Sequence, residues 1–361
     1  MSQIYEVDGD IRNASTLPAA YYQDRDAFER SKDLYFANSW QYVASADDVK
    51  VAGQVYPFEM LPGHLSEPLL LTRDTQDKLH CMSNVCTHRG MTVCEGAGNE
   101  RFLRCRYHGR RFGLDGNFKS MPEFEDACNF PSAKDNLPSV PFHQWGNLIF
   151  ASINPAASFE TMFEPILERM SWLPLEEFRL DPANSRDYLV RAHWSLYVDN
   201  YLEGFHIPFV HTALNDVLDY ENYQTFTYDW CSLQVAEAKS NEGIFDLPES
   251  SPDFGKKISA YYFWVFPNLM LNFYPWGLSI NVIRPLGIDS TKVSFIRYVW
   301  DESKLGEGAG VDIDRVERED EQVVELVQKG LRSRLYDRGR FSPRREIGTH
   351  HFHRLLAEKL R

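Results

Sequence analysis

Two short clusters of metal-binding side chains, Cys86-Thr87-His88 and Cys105-Arg106-Tyr107-His108, lie sixteen residues apart and constrain this chain more than any other feature in it. Zinc sites of the Cys2His2 kind place both cysteines in one pair and both histidines in the other. Here each pair holds one cysteine and one histidine, the ligand order of a two-iron, two-sulfide (2Fe-2S) cluster in which imidazoles replace the thiolates on one iron. Neutral imidazole leaves less negative charge on such a centre than thiolate would, so its reduction potential rises and it suits an electron acceptor. Gly90 and Gly109 each follow a histidine of the pair closely, where the lack of a side chain lets a ligand loop turn tightly.

The segment around these pairs is β-rich. From about Gln41 to Ser152 short runs such as PLLLT, KLHCMSNV, RFLRCRY and NLIFASI are broken by Gly, Pro, Asp and Asn, the pattern of a compact all-β module. Before it, Arg25–Trp40 sets Phe28, Leu34, Tyr35 and Phe36 among charges and reads as an amphipathic helix. After it, helices are expected near Phe159–Met170 and His193–His206, then four successive antiparallel strands over Lys257–Trp300, then helices at Asp314–Ser333 and Thr349–Leu360. The expected organisation is a helical segment over 1–40 packing on the C-terminal domain, a β module over 41–153 and a larger domain over 154–361. With 361 residues, 43% hydrophobic and 14% aromatic, the chain can bury two cores. A net charge of −14 argues against nucleic acid as a partner. The amino terminus lacks the pattern of a secretion signal and no stretch reaches the roughly 18 apolar residues of a membrane span, so a cytoplasmic protein without a membrane partner is expected. Cysteines 81, 94, 128 and 231 fall outside both pairs and are expected to be buried as small apolar side chains.

A second constellation lies in HWSLYVDNYLEGFHIPFVH, residues 193–211. Glu203 and His206, three apart, would share a helix face, and Pro208 would end that helix and let His211 swing to the same point. Two histidines and a carboxylate leave one face of a mononuclear Fe(II) open for dioxygen and substrate. In the acid-rich segment 311–333, Val316, Val323, Val324, Val327 and Leu331 define an inward stripe with Asp320 at its middle. Glu319 and Glu321 fall about 100° to either side, Glu325 nearly opposite and Glu317 at the margin. Asp320 is therefore the expected third ligand, since a carboxylate on a buried face needs a cation to offset its desolvation.

The pattern CTHRG with CRYHGRRF, followed by DNYLEGFHIPFVH, resembles the alpha subunits of Rieske oxygenases along nearly the whole chain. FPNLMLNFYPWGLSINVIRPLG, EDEQVVELVQKGLRSRLYDRGRF and THHFHRLL are similar to the choline, glycine betaine and carnitine monooxygenase group of that family. The resemblance implies an α+β architecture: an all-β Rieske domain binding the 2Fe-2S cluster through Cys86, His88, Cys105 and His108, joined to a helix-grip catalytic domain with a large antiparallel sheet flanked by helices. It further implies a homotrimer, a separate NAD(P)H-dependent reductase of the flavin or ferredoxin type, and an electron path from His108 through Glu203 to His206 across a subunit boundary. Many relatives carry Asp where this chain has Glu203. Asn200 matches a family residue near the iron.

The expected activity is hydroxylation of a small substrate, a quaternary ammonium compound, with N-dealkylation or C–N cleavage. Tyr261, Phe263, Trp264, Phe273, Tyr274 and Trp276 are candidates for a cage around such a cation. An aromatic-ring dioxygenase would share every metal ligand and differ only in its pocket lining. A Rieske electron carrier with an unrelated second domain would need only the first motif. His350, His351 and His353 are expected to be partly exposed at a helix start, and His64, His80 and His143 to be structural.

Overall fold

The computed structural model describes residues 4–310 and 313–361. The chain forms two compact units, one of Ala37–Ala156, the other of the residues up to Phe36 together with Ala157–Arg361.

The Ala37–Ala156 unit is built from ten short strands: β1 Gln41–Ser45, β2 Gln54–Met60, β3 Glu67–Arg73, β4 Leu79–Ser83, β5 Gly98–Asn99, β6 Leu103–Arg104, β7 Arg111–Phe112, β8 Phe118–Ser120, β9 Phe142–Trp145 and β10 Leu148–Ala151. They pair as three sheets, in the orders β4-β3-β2-β5, β6-β7-β8 and β1-β10-β9. Val55, Leu70, Met82, Leu103, Phe112, Leu114 and Leu137 form one apolar core that also takes in Cys86 and Cys105. The two thiols thus stand on the packed side of their loops.

In the other unit the helices are α1 Arg25–Ser31, α2 Phe159–Arg169, α3 Trp194–Tyr201, α4 Ile207–Val210, α5 Thr212–Val217, α6 Ile313–Gly330 and α7 Ile347–Lys359. The strands are β11 Arg179–Leu180, β12 Arg186–Val190, β13 Gln224–Thr227, β14 Cys231–Glu237, β15 Ile258–Val265, β16 Leu269–Tyr274, β17 Gly277–Gly287 and β18 Ser290–Val299. Their sheet runs β11-β18-β17-β16-β15-β14-β13, with β12 also paired to β18, and every pairing is antiparallel. Every residue of β16 is buried, which requires cover on both faces. Tyr201 of α3 bonds to Asn272 on one face, while Arg169 of α2 lies over the ring of Tyr261 on the other. Among the described residues, no helix is long and apolar enough to cross a membrane.

Two helices are shorter than their sequence patterns predict. α1 starts where Asp24 caps the amides of Asp26 and Ala27, but gives way after Ser31 to a single π turn over Lys32–Phe36. α3 stops at Tyr201, so Glu203 stands in the turn beyond it. Against this same turn α7 packs so closely that a Cβ on Gly348 would lie 2.4 Å from the carbonyl oxygen of Leu202.

Candidate metal centres and substrate pocket

Two loops of matching design bring the Cys/His pairs together. In the first, the amide of Cys86 donates to the carbonyl of Met91 and that of Gly90 to the carbonyl of Cys86; in the second, Cys105 donates to Arg110 and Gly109 to Cys105. Both glycines sit at φ +75°, which a side chain would oppose. The result is a mirrored pair of tight turns, with the cysteines buried beneath and the histidines at the rim. His88 Nδ1 and His108 Nδ1 face each other at 3.2 Å. Burial, then the neighbouring His108, hold the His88 imidazole below its ordinary pKa and so neutral, as a metal ligand requires. Two thiols at one end and two imidazole nitrogens at the other fit a 2Fe-2S group with chemically unlike irons.

One support was invisible to the motif. The guanidinium of Arg110, 2% exposed, donates to the carboxylate and carbonyl of Asp135 and lies over the rings of Phe118, Phe130 and Phe112 at 5.0, 5.6 and 5.8 Å. Thr87 of the first loop donates to the same carbonyl at 2.8 Å. Asp135 therefore ties both loops to one point. Tyr107 stacks on His108 with centroids 3.8 Å apart.

The second centre is assembled by a turn and two helices. Glu203 does not share a helix face with His206; past the end of α3 it folds back as a cap. Its Oε2 accepts from the amides of Phe205 and His206, and its Oε1 lies 2.7 Å from His206 Nδ1. α4, which carries Pro208, ends at His211. His206 Nε2 and His211 Nε2 then converge on Asp320 Oδ1, at 3.5 and 3.0 Å, and the ligand atoms of all three residues lie within 4.8 Å of one another. The opposite nitrogen of His211 faces Glu319 Oε2 at 2.8 Å, and Glu319 is itself paired with Arg315. Each imidazole is thus held through Nδ1 by a carboxylate, which leaves Nε2 for a metal. Burial opposes protonation of His211, but its bonds to Asp320 and Glu319 raise its pKa overall; Glu319 is held below its usual range by His211 first. Two imidazoles and three carboxylates around one point suit a divalent cation.

α6 is turned relative to the apolar stripe expected for it. Val327 is 43% exposed, whereas Glu317, Val324, Gln328 and Leu331 are buried. Two polar residues of the buried face, Glu317 and Gln328, find their partners on α3 and its cap. Gln328 accepts from the amide of His193 at 2.7 Å, and Glu317 accepts from the hydroxyl of Tyr197. Asp320 faces inward in either frame, but Glu317 moves from margin to centre and Glu319 becomes the partner of His211. A pattern drawn from apolar residues alone could detect neither. Burial first, and then nearby Asp320, push the Glu317 carboxyl well above its ordinary range.

Beside the three converging residues opens a pocket lined by Asn200, Tyr197 and Tyr201 of α3, by Tyr223, and by inward residues of the sheet. Gln234, Tyr262 and Asn272 are register partners on β14, β15 and β16, and Tyr274 lies two residues further on the same face. Strand alternation decides among the aromatic candidates. Tyr274 lines the pocket with Trp276 stacked on it at 5.1 Å, whereas Tyr261, Phe263 and Phe273 point to the other face and Trp264 packs among Phe266 and Phe352. Tyr201, Tyr223 and Tyr262 belong to the lining and were absent from the expected set. Two of the lining amides are committed: Asn272 accepts from the Tyr201 hydroxyl at 2.7 Å, and Gln234 holds the Tyr201 carbonyl and accepts from Tyr223.

Other expectations need correction. Cys81 and Cys231 are buried, but Cys94 is half-buried and Cys128 is exposed in an acidic, turn-rich loop. His350 and His353 are buried: α7 is enclosed by the N-terminal segment and α3, so His353 bonds to Asp199 at 2.8 Å and accepts from the amide of Leu17, while His350 bonds to the carbonyl of Asp8. His80 pairs with Asp74.

Comparison with known proteins agrees with this geometry. Residues 39–140 match the Rieske [2Fe-2S] domain family, and residues 167–361, more than half the chain, match the ring hydroxylating alpha subunit (catalytic domain) family. The chain is 30% identical to the chloroplastic choline monooxygenase of Arabidopsis thaliana, over 97% of this chain and 84% of that one. It is 32% identical to the carnitine monooxygenase oxygenase subunit of Escherichia coli K12, over 96% and 94%. A solved quaternary ammonium Rieske monooxygenase superposes with a TM-score of 0.79 at 23% identity, covering 99% of this chain and all of the other, and so shares its fold. The chain therefore belongs to the ring-hydroxylating alpha-subunit family and is the terminal component of a Rieske-type oxygenase, an oxidoreductase with a 2Fe-2S domain and a non-haem iron catalytic domain.

Proposed function

We propose that this enzyme monooxygenates a quaternary ammonium compound at a carbon next to nitrogen, consuming one dioxygen, two electrons and two protons per hydroxyl formed and releasing one water. The reading is carried by a tyrosine-rich pocket opening directly onto His206, His211 and Asp320. A quaternary ammonium group has no proton to donate, so aromatic faces are its natural receptor. The names of the two relatives, choline and carnitine monooxygenase, point the same way.

In this reading Cys86, His88, Cys105 and His108 hold the cluster, and His206, His211 and Asp320 hold Fe(II). When bound, the cluster passes on single electrons and the iron offers the open coordination face at which dioxygen is activated. Glu203 fixes the His206 ring through Nδ1 and, with a cluster bound in a neighbouring subunit, would be the link by which electrons reach this site. Asn200 lines the space beside the metal ligands. The tyrosines orient the cation and exclude water.

A homotrimer fits the exposed aromatic rings beside the two ends of that route. Phe205 and Phe209, 41% and 78% exposed, flank His206, and Tyr107, 57% exposed, stacks on His108. The solved relative is itself described in terms of inter-subunit electron transfer. A flavin- or ferredoxin-type reductase would draw the electrons from NAD(P)H, and a cytoplasmic setting is compatible with that supply.

The test is substrate-dependent oxygen uptake with a reductase, comparing choline, glycine betaine and carnitine with naphthalene-like arenes. Uptake with a quaternary ammonium compound, and one ¹⁸O atom from ¹⁸O₂ in the product, is the expected result. Uptake with arenes alone would overturn the substrate assignment in favour of ring dioxygenation.

A further inference from the structure

The acid that neither imidazole uses stands in the pocket. Glu317 lies one helical turn before Asp320 on α6, a rise of about 4.5 Å along the axis. It is 2% exposed and lines the same cavity as the metal-facing residues. Its Oε2 accepts from the Tyr197 hydroxyl, while its Oε1 is buried with no hydrogen-bond partner. A buried carboxylate oxygen left unpaired is costly, and a ligand in the cavity would satisfy it. The other two lining acids are engaged, Glu203 by His206 and Asp320 by both imidazoles.

What the lining lacks matters equally. Among the described lining residues there is no lysine or arginine. Arg186 and Arg297 border a separate depression that shares Phe295 and Ile313 with this pocket. Asn272 and Gln234 hold Tyr201, and Asn281 accepts from Ser279. Burial holds the Glu317 carboxyl above its ordinary range. A cationic head seated beside it favours release of the carboxyl proton to solvent, whereas a substrate carboxylate opposes that ionisation and finds no lysine or arginine to pair with. A trimethylammonium head would meet an uncommitted carboxylate oxygen and tyrosine faces.

Building on the proposed function, we infer that Glu317 is the counter-charge for the substrate's cationic head and restricts the enzyme to quaternary ammonium compounds that carry no carboxylate, choline-like alcohols rather than betaines. Placed there, the head group sits one helical turn from Asp320, so its nitrogen-bound carbons are the ones nearest the metal ligands.

The experiment compares the full-length, iron-loaded and cluster-containing wild type with Glu317→Gln and Glu317→Asp. Reductase-coupled kcat/KM is measured for choline, glycine betaine and carnitine, alongside anaerobic Kd by calorimetry. The wild type should favour choline over both carboxylates by about tenfold or more, and Glu317→Gln should weaken choline binding by about tenfold, in KM and Kd more than in kcat, as expected for losing a charge-assisted contact. Glycine betaine should lose less, so the ranking narrows, and Glu317→Asp should retain it. A wild type that prefers glycine betaine or carnitine, or a Glu317→Gln variant with unchanged choline Kd, overturns the assignment of Glu317 while the proposed function stands. If no quaternary ammonium compound binds or drives oxygen uptake, the proposed function itself falls. Iron content and the cluster's EPR signal, read on the same samples, separate a lost contact from a lost centre. Should the Gln variant not accumulate, the wild-type ranking alone decides.

Discussion

Removing the carboxylate behind His211 should loosen the mononuclear metal without disturbing the cluster. Glu319 Oε2 lies 2.8 Å from His211 Nδ1, and that contact turns Nε2 toward Asp320 Oδ1 at 3.0 Å. In Glu319→Ala the imidazole loses both the partner that fixes its tautomer and the negative charge that makes it a better donor. Losing an acid in this position weakens metal binding by about 10- to 100-fold, equivalent to about 1.4 to 2.7 kcal/mol. Glu319→Gln keeps an oxygen that can accept from Nδ1–H but lacks the charge, so it should fall between wild type and Ala. The assay is anaerobic titration of the iron-depleted protein with Fe(II), with the EPR signal of the reduced cluster as internal control. Equal Fe(II) affinity in wild type and Glu319→Ala would refute the argument, because it would mean that His211 is oriented by the backbone alone.

Other expectations follow from the same contacts. Glu203→Gln should keep both metals but slow reoxidation of the reduced cluster by about tenfold or more, read by stopped-flow absorbance; an unchanged rate would remove Glu203 from the electron route. Arg110→Met should destabilise the cluster-bearing unit by about 3 kcal/mol, since it takes the guanidinium partner from the largely buried Asp135 carboxylate, which keeps its bonds to Ser132, and frees the point to which both ligand loops are tied. Thermal unfolding and retention of cluster absorbance would measure that, and a variant as stable as wild type would show the pair to be incidental. Gly348→Ala must displace the Leu202 carbonyl next to Glu203, so oxygen uptake should drop more than melting temperature does. Unimpaired turnover would mean that α7 does not set the position of this turn.

The candidate metal ligands were legible because their chemistry is rare and local. Mixed Cys/His pairs, two histidines bracketing a proline, and an acid on a helix face narrow the choice without any tertiary information. Four of the large sheet's strands, β15 to β18, were equally readable from β-branched and aromatic runs bounded by turn residues, whereas β11 to β14 were not. Much of what sequence pattern missed shares one physical cause: polar side chains buried by one another. Glu317 and Gln328 form the inner face of α6 through Tyr197 and the His193 amide, so an apolar stripe placed the helix slightly turned. Arg110 and Asp135, 25 residues apart, show their connection only once the loops close. Among the aromatics the difficulty was parity. Adjacent Tyr261 and Tyr262 look alike as letters, yet only the register with Asn272 shows which one faces the pocket.

Four consecutive positions of α6, Glu317 through Asp320, hold a pocket acid, a backing carboxylate and a metal-facing oxygen on one rigid rod. A slight roll of that rod would shift all three at once, so what the enzyme accepts and how firmly it keeps its iron are mechanically geared together. Variants selected for a bulkier substrate by nudging α6 should therefore surrender metal, whereas changes confined to the tyrosines of the sheet leave that gearing untouched.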